Sequence, residues 1–237
     1  MSVFASLVEH LADLLQPLFG ASAAAAAIIL FTALVRLLVH PLSRAAARGQ
    51  KARTRLQPRI AELRRKHAKN PEKLQRAVLE LHAEEKVSPL SGCLPSLCQI
   101  PAFFLLYHLF SSSTIGGEVN GLLSHQLLAA PLGGRWADAF GDGGLLGGAG
   151  LVYVALFAVV AGVATFSYRL TRRTMADRPV LPAGDAGAVP GVGALTRVMP
   201  FMSFFTLVTV AVVPLAAALY VVTSTTWSAV ERAVLYR

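Results

Sequence analysis

Charge is scarce in this chain, and negative charge is scarcer than positive. Only 15% of its 237 residues are charged, 13 of them acids against 22 Lys and Arg. Soluble domains carry about 25%, so a charged, water-facing surface over most of the chain is excluded. Cysteine is nearly absent. Cys93 and Cys98 stand five apart in an apolar stretch, on different faces of a helix, which reads as free thiols rather than a disulfide framework or a metal site. His40, His67, His82 and His108 are scattered, and the chain has neither a zinc-type His pair, a serine elbow nor a phosphate-binding glycine loop. Enzymatic chemistry, a nucleotide motor and a resident cofactor are therefore not expected. No basic residue precedes the first apolar block, and a lipoprotein-type cysteine is missing there too, so a cleaved secretory signal is not expected either.

What the chain does have is long apolar runs. Hydrophobic residues make up 54% of it, gathered in blocks rather than in the short amphipathic patterns of soluble domains. The blocks at 21–39 and 90–110 each approach the roughly 20 residues a helix needs to cross a bilayer. A third, 143–168, begins glycine-rich and is solidly apolar from Leu151. The last, 198–230, is too long for one crossing and short for two, and Pro214 divides it where a helix is interrupted or turned. The fold class is all-α: a polytopic membrane protein with five transmembrane helices, at 21–41, 89–111, 145–169, 197–213 and 214–230.

Basic residues orient these spans. Residues 42–86 hold 13 Lys and Arg against 5 acids, 111–150 hold one Arg against three acids, and 169–197 hold five Arg against two Asp. By the positive-inside rule the first and third connections are cytoplasmic, which leaves the amino terminus outside and the carboxyl terminus inside. The net charge of +9 thus reads as topology rather than nucleic-acid binding. Residues 1–20 place Phe4, Leu7, Val8, Leu11, Leu14, Leu15 and Leu18 at helical spacing opposite Glu9 and Asp13, which predicts an external amphipathic helix. Residues 112–144 form an external loop, 170–196 a flexible cytoplasmic loop and 231–237 a cytoplasmic tail.

Residues 42–88 predict a charged cytoplasmic hairpin of two helices. Leu56, Ile60 and Leu63 draw an apolar line on the first, and Asn70 followed by Pro71 caps and starts a second that carries Leu74, Ala77, Val78 and Leu81. Basic residues beside a membrane hold a loop inside and attract anionic lipid, at about 1 kcal/mol each. Paired helices go beyond that need, so Arg59, Arg64, Arg65, Lys66 and Lys69 are candidates for docking a ribosome, a nascent chain or a targeting factor.

Arg36 stands alone within the first apolar block. A charge at membrane depth costs on the order of 3 kcal/mol on insertion scales and usually faces protein, water or a partner. Snorkelling is the alternative, because the interface near Pro41 is only about 7 Å along the helix. Gln99, Thr165, Tyr168, the run Thr223 to Thr226 and Trp227 are further polar positions in predicted spans. Each has a plainer role open to it: helix-helix bonding, backbone bonding or an interfacial anchor.

The second span opens SPLSGCLPSLCQIPAFFLLY, with Pro89, Pro95 and Pro101 in or beside one helix. A basic hairpin and the arginine-bearing ILFTALVRLLVHPLSR precede it, and Met199-Pro200, Pro214, Leu219-Tyr220, Thr223-Ser224 and Trp227 follow. Together, over about 28–230, these features resemble the YidC/Oxa family of membrane protein insertases. The resemblance implies five helices around a polar groove that opens to the cytoplasm and sideways to lipid. It matches Arg36 to the groove arginine, makes nascent membrane proteins the substrate, and implies a bacterial plasma membrane location, with ribosome, signal-recognition factors and a Sec translocon as candidate partners. Thr165-Phe166-Ser167-Tyr168 departs from the pattern, since relatives often carry glutamine there. A small transporter or channel for an anionic solute is the rival reading, although no internal repeat supports it.

Overall fold

The computed structural model describes residues 2–87, 100, 104, 107–115, 117–141, 144–176 and 199–235. Cys93, Cys98, Gln99 and most of the predicted second span lie outside the described residues, as does most of the loop predicted to be cytoplasmic, from 177 onward.

Two helices open the chain, α1 (Ser2–Phe19) and α2 (Ala23–Lys66), joined by one 3-10 turn at Gly20–Ser22. Gly20 sits at φ +53, a backbone conformation that a side chain resists. α2 runs for 44 residues, about 66 Å at 1.5 Å per residue, against a hydrocarbon core of about 30 Å. The first predicted span and the first hairpin helix are therefore one continuous helix. Pro41 lies inside it, where the apolar run gives way to the basic one, so water or headgroups can reach the Leu37 carbonyl that proline leaves without a donor.

The alanine-rich start of α2 explains its packing. Ala23, Ala24, Ala25 and Ala27 are buried together with Ile28 and Phe31, because small side chains let neighbouring helices approach closely. From α1, Val8 and Ala12 join this core while Phe4, Leu7, Leu14 and Leu18 stay exposed. The apolar residues of α1 thus serve two surfaces, one against α2 and one facing outward, as an interfacial helix requires.

Helix α3 (Pro71–Glu84) starts at the Asn70 cap, whose side chain accepts from the Lys73 N–H at 3.0 Å. Leu56 and Ile60 of α2 meet Leu81 of α3 in a small separate core, flanked by Leu63, Val78 and Val87. Arg59 and Glu85 form an ion pair across the same contact.

The segment expected to be an external loop is built. Strands β1 (Thr114–Ile115) and β2 (Glu118–Val119) pair antiparallel, as do β3 (Gln126–Leu127) and β4 (Ala130–Pro131), and α4 (Trp136–Gly141) follows. Asn120 organises it, donating to the Leu109 and Ser112 carbonyls and accepting from the Leu122 N–H. Leu122, Ala130 and Leu132 are fully buried beneath it.

Among the described residues three helices follow: α5 (Gly148–Ala176), α6 (Phe205–Val212), which a 3-10 turn at Met199–Phe204 precedes, and α7 (Leu215–Leu235). α7 is the hub, packed against α2, α5 and α6. Its first two turns, Leu215 to Val222, are buried without a gap, so they are apolar on every face. Such an end cannot leave its free N–H groups bare. The segment after β4 supplies the acceptors: Leu215 donates to the Gly134 carbonyl and Ala216 to that of Leu132, both at 2.9 Å. Among the described residues two helical stretches are long and apolar enough to cross a membrane, within Val3–Lys66 and at Gly148–Arg173, while the apolar stretch Pro200–Val212 is shorter.

Candidate functional site

Halfway along α7 the sequence turns from apolar to hydroxyl-rich, and successive residues, 100° apart, face different neighbours. Ser224, 6% exposed, points at α2. There the Arg36 Nε donates to its Oγ at 3.1 Å, and Nη2 donates to the same oxygen. One turn further along α2, His40 Nδ1 meets Glu231 Oε1 at 2.6 Å. The half-buried guanidinium of Arg36 thus reaches into the helix packing, toward α7. Arg36 and Arg232 are also near enough to feel each other's charge, with Glu231 adding the opposite sign.

On the next face of α7 lies a half-open cavity of about 390 Å³, bounded by α5 and by the turn leading into α6. Its polar lining comes from Ser167 and Thr171 of α5, Ser203 and Thr206 beside and within α6, and Thr225, Ser228 and Arg232 of α7. Two of these hydroxyls have turned their hydrogens back into the helix. Thr225 Oγ1 donates to the Val221 carbonyl at 2.8 Å, and Ser228 Oγ donates to that of Ser224 at 2.9 Å. Their oxygen lone pairs remain to face the cavity. Arg232 is the charged member of the lining.

The opposite face of α7 borders a more apolar cavity of about 470 Å³ against α2, lined by Ile29, Val222, Thr223, Thr226, Trp227 and Val230, with the His40–Glu231 pair among its walls. Tyr153 of α5 donates its hydroxyl to the Gly134 carbonyl at 2.7 Å, and Trp136 stands edge-on to Tyr153 and Phe157, with centroids 5.7 and 5.0 Å away.

The sequence-predicted residues fall into groups. Arg36 is brought to the polar run of α7, but Thr223 and Trp227 line the apolar cavity, on the far side of that run from Thr225 and Ser228. Thr165 is half-buried and borders neither cavity. Tyr168 packs on Phe201 and Phe204, with the Arg172 guanidinium 5.8 Å from its ring centre. In the hairpin Arg64, Arg65, Lys66 and Lys69 are exposed, whereas Arg59 is engaged by Glu85. Ser167, Thr171, Ser228 and Arg232 escaped the sequence reading. Their signal was spacing: 164, 167 and 171 share one helical face, as do 225, 228 and 232.

The family model described as 60Kd inner membrane protein matches residues 14–237, nearly the whole chain. The chain belongs to the 60Kd inner membrane protein family. Among similar proteins, the membrane protein insertase YidC of Clostridium perfringens is 43% identical over 95 residues, 40% of this chain and 39% of that protein. The YidC insertase of Chlorobium limicola is 34% identical over 143 residues, 59% of this chain and 23% of its own. That of Magnetococcus marinus is 46% identical over 81 residues, 34% and 15% of the two chains. The chain therefore spans well under two thirds of the length of these relatives. In this member of the 60Kd inner membrane protein family, the polar cavity lies beside the half-buried Arg36–Ser224 contact.

Proposed function

We propose that this chain is a membrane protein insertase of the bacterial plasma membrane, with five spans around a groove, its amino terminus outside and its carboxyl terminus in the cytoplasm. The observation that carries the reading is the hydroxyl-lined cavity at the hub of otherwise apolar helices, beside the Arg36–Ser224 contact. A polar tail entering from the cytoplasm finds oxygen acceptors and guanidinium donors in place of part of its water, which lowers the cost of drawing it into the bilayer. A fixed positive charge there attracts acidic residues, more strongly as the entering segment displaces water. The built external segment closes the far end. The client's hydrophobic stretch leaves sideways along lipid-facing positions such as Leu151, Val154 and Val159 of α5 and Val208 and Val212 of α6, all exposed.

Partitioning into lipid and the membrane potential, about 2.3 kcal/mol per charge per 100 mV, drive the step. In this reading the exposed Arg64, Arg65, Lys66 and Lys69 dock a ribosome, a targeting factor or a Sec-type channel, and also touch anionic lipid. Reconstitution tests the proposal. Vesicles containing only this protein should protect the translocated tail of a single-span client from protease well above protein-free vesicles. No gain over empty vesicles, or saturable uptake of a small anion instead, would overturn it.

A further inference from the structure

The arginine contact and the polar cavity lie on different faces of α7. Arg36 is held at Ser224, whereas the guanidinium that borders the cavity belongs to Arg232, two turns further along the same helix. Arg232 lies in the last turn of α7, where a cation is also favoured by the helix dipole and by the positive-inside rule. Those roles need only a charge near that end. They do not require the side chain, exposed as it is, to border a cavity with Ser167, Thr171, Ser203, Thr206 and Ser228. Glu231, its sequence neighbour, is taken by His40, and among the described residues no carboxylate pairs with Arg232.

The chemistry of the walls is complementary. Thr225 and Ser228 have donated their hydrogens to backbone carbonyls and offer lone pairs, which suit the N–H groups of an extended peptide. Arg232 offers five N–H donors in a fixed fork, which suit a carboxylate or peptide carbonyls. A cavity with acceptors on its walls and a guanidinium without an ion-pair partner at one end fits a peptide segment bearing Asp or Glu.

We propose that Arg232 is a second substrate-contacting cation, and that it sets the preference for acidic over basic segments in the hydroxyl-lined cavity, separately from Arg36. The inference rests on the insertase reading, and the experiment separates the two failures. Single-span clients whose tails carry two Asp, two Asn or two Lys are presented to vesicles holding the full chain, R232Q or R232E, and protected tail is measured. R232E should lower insertion of the Asp tail by at least fivefold, raise that of the Lys tail, and leave the Asn tail within about twofold of the unsubstituted protein, with R232Q between. The guanidinium-to-ammonium change R232K should retain the order of the tails. If all three tails fall together in R232E, or the Asp tail is unaffected by it, Arg232 has no such role even though the chain inserts protein. Failure of the unsubstituted chain with every tail overturns the insertase reading instead.

Discussion

Arg36 illustrates how much of a polar residue's role depends on a partner that the sequence does not display. Its isolation in an apolar run marked it as unusual, but Ser224 lies 188 positions away, and no local pattern pairs them. Because the half-buried Arg36 guanidinium donates to the Ser224 hydroxyl, losing that oxygen removes a hydrogen bond to a charged donor, at a cost of about 1.5 to 3 kcal/mol. Ser224→Ala is therefore expected to lower the thermal stability of the detergent-solubilised protein, and a melting point unchanged from the parent would contradict the contact. Arg36→Ala should reduce insertion of clients with acidic tails severalfold in reconstituted vesicles while Arg36→Lys retains most of it. Equal loss in both variants would show that geometry rather than charge is at stake.

Among the elements, those with a repeating pattern were legible and those held by distant contacts were not. The apolar line Leu56, Ile60, Leu63 and the Asn70-Pro71 start are written in consecutive turns, and the structure carries both. Pro214 likewise falls between the end of α6 at Val212 and the start of α7 at Leu215. The external segment was opaque, since two-residue strands give no periodicity and its ordering comes from Asn120 and from carbonyls that cap α7. Two substitutions test that cap. Tyr153→Phe removes the bond to the Gly134 carbonyl and is expected to cost about 1 kcal/mol. Gly148→Ala places a Cβ 2.8 Å from that of Ala129, so one of the two segments must move. In both variants, amide exchange at Leu215 and Ala216 should rise before that of the rest of α7; unchanged protection there would separate the external segment from the stability of the hub. Asn70→Ala should loosen α3 by about 1 kcal/mol, read as earlier proteolysis within the hairpin, without altering the melting of the membrane helices.

For the whole molecule, composition announced a membrane protein and basic clusters suggested its orientation, but the cavity is a product of assembly. Ser167, Thr206 and Ser228 come from three helices, and each taken alone reads as a hydroxyl satisfying its own backbone. Their convergence on one space with Arg232 is what the proposed function uses as a place for polar peptide among apolar helices. The account therefore depends on that space being occupied by the client's polar tail during insertion. A photoreactive residue at position 228, with a client arrested midway across the membrane, measures this directly. The prediction is crosslinking to the tail, strongest when the tail is acidic, and little to the hydrophobic stretch. Crosslinks confined to the hydrophobic stretch or to lipid would contradict it.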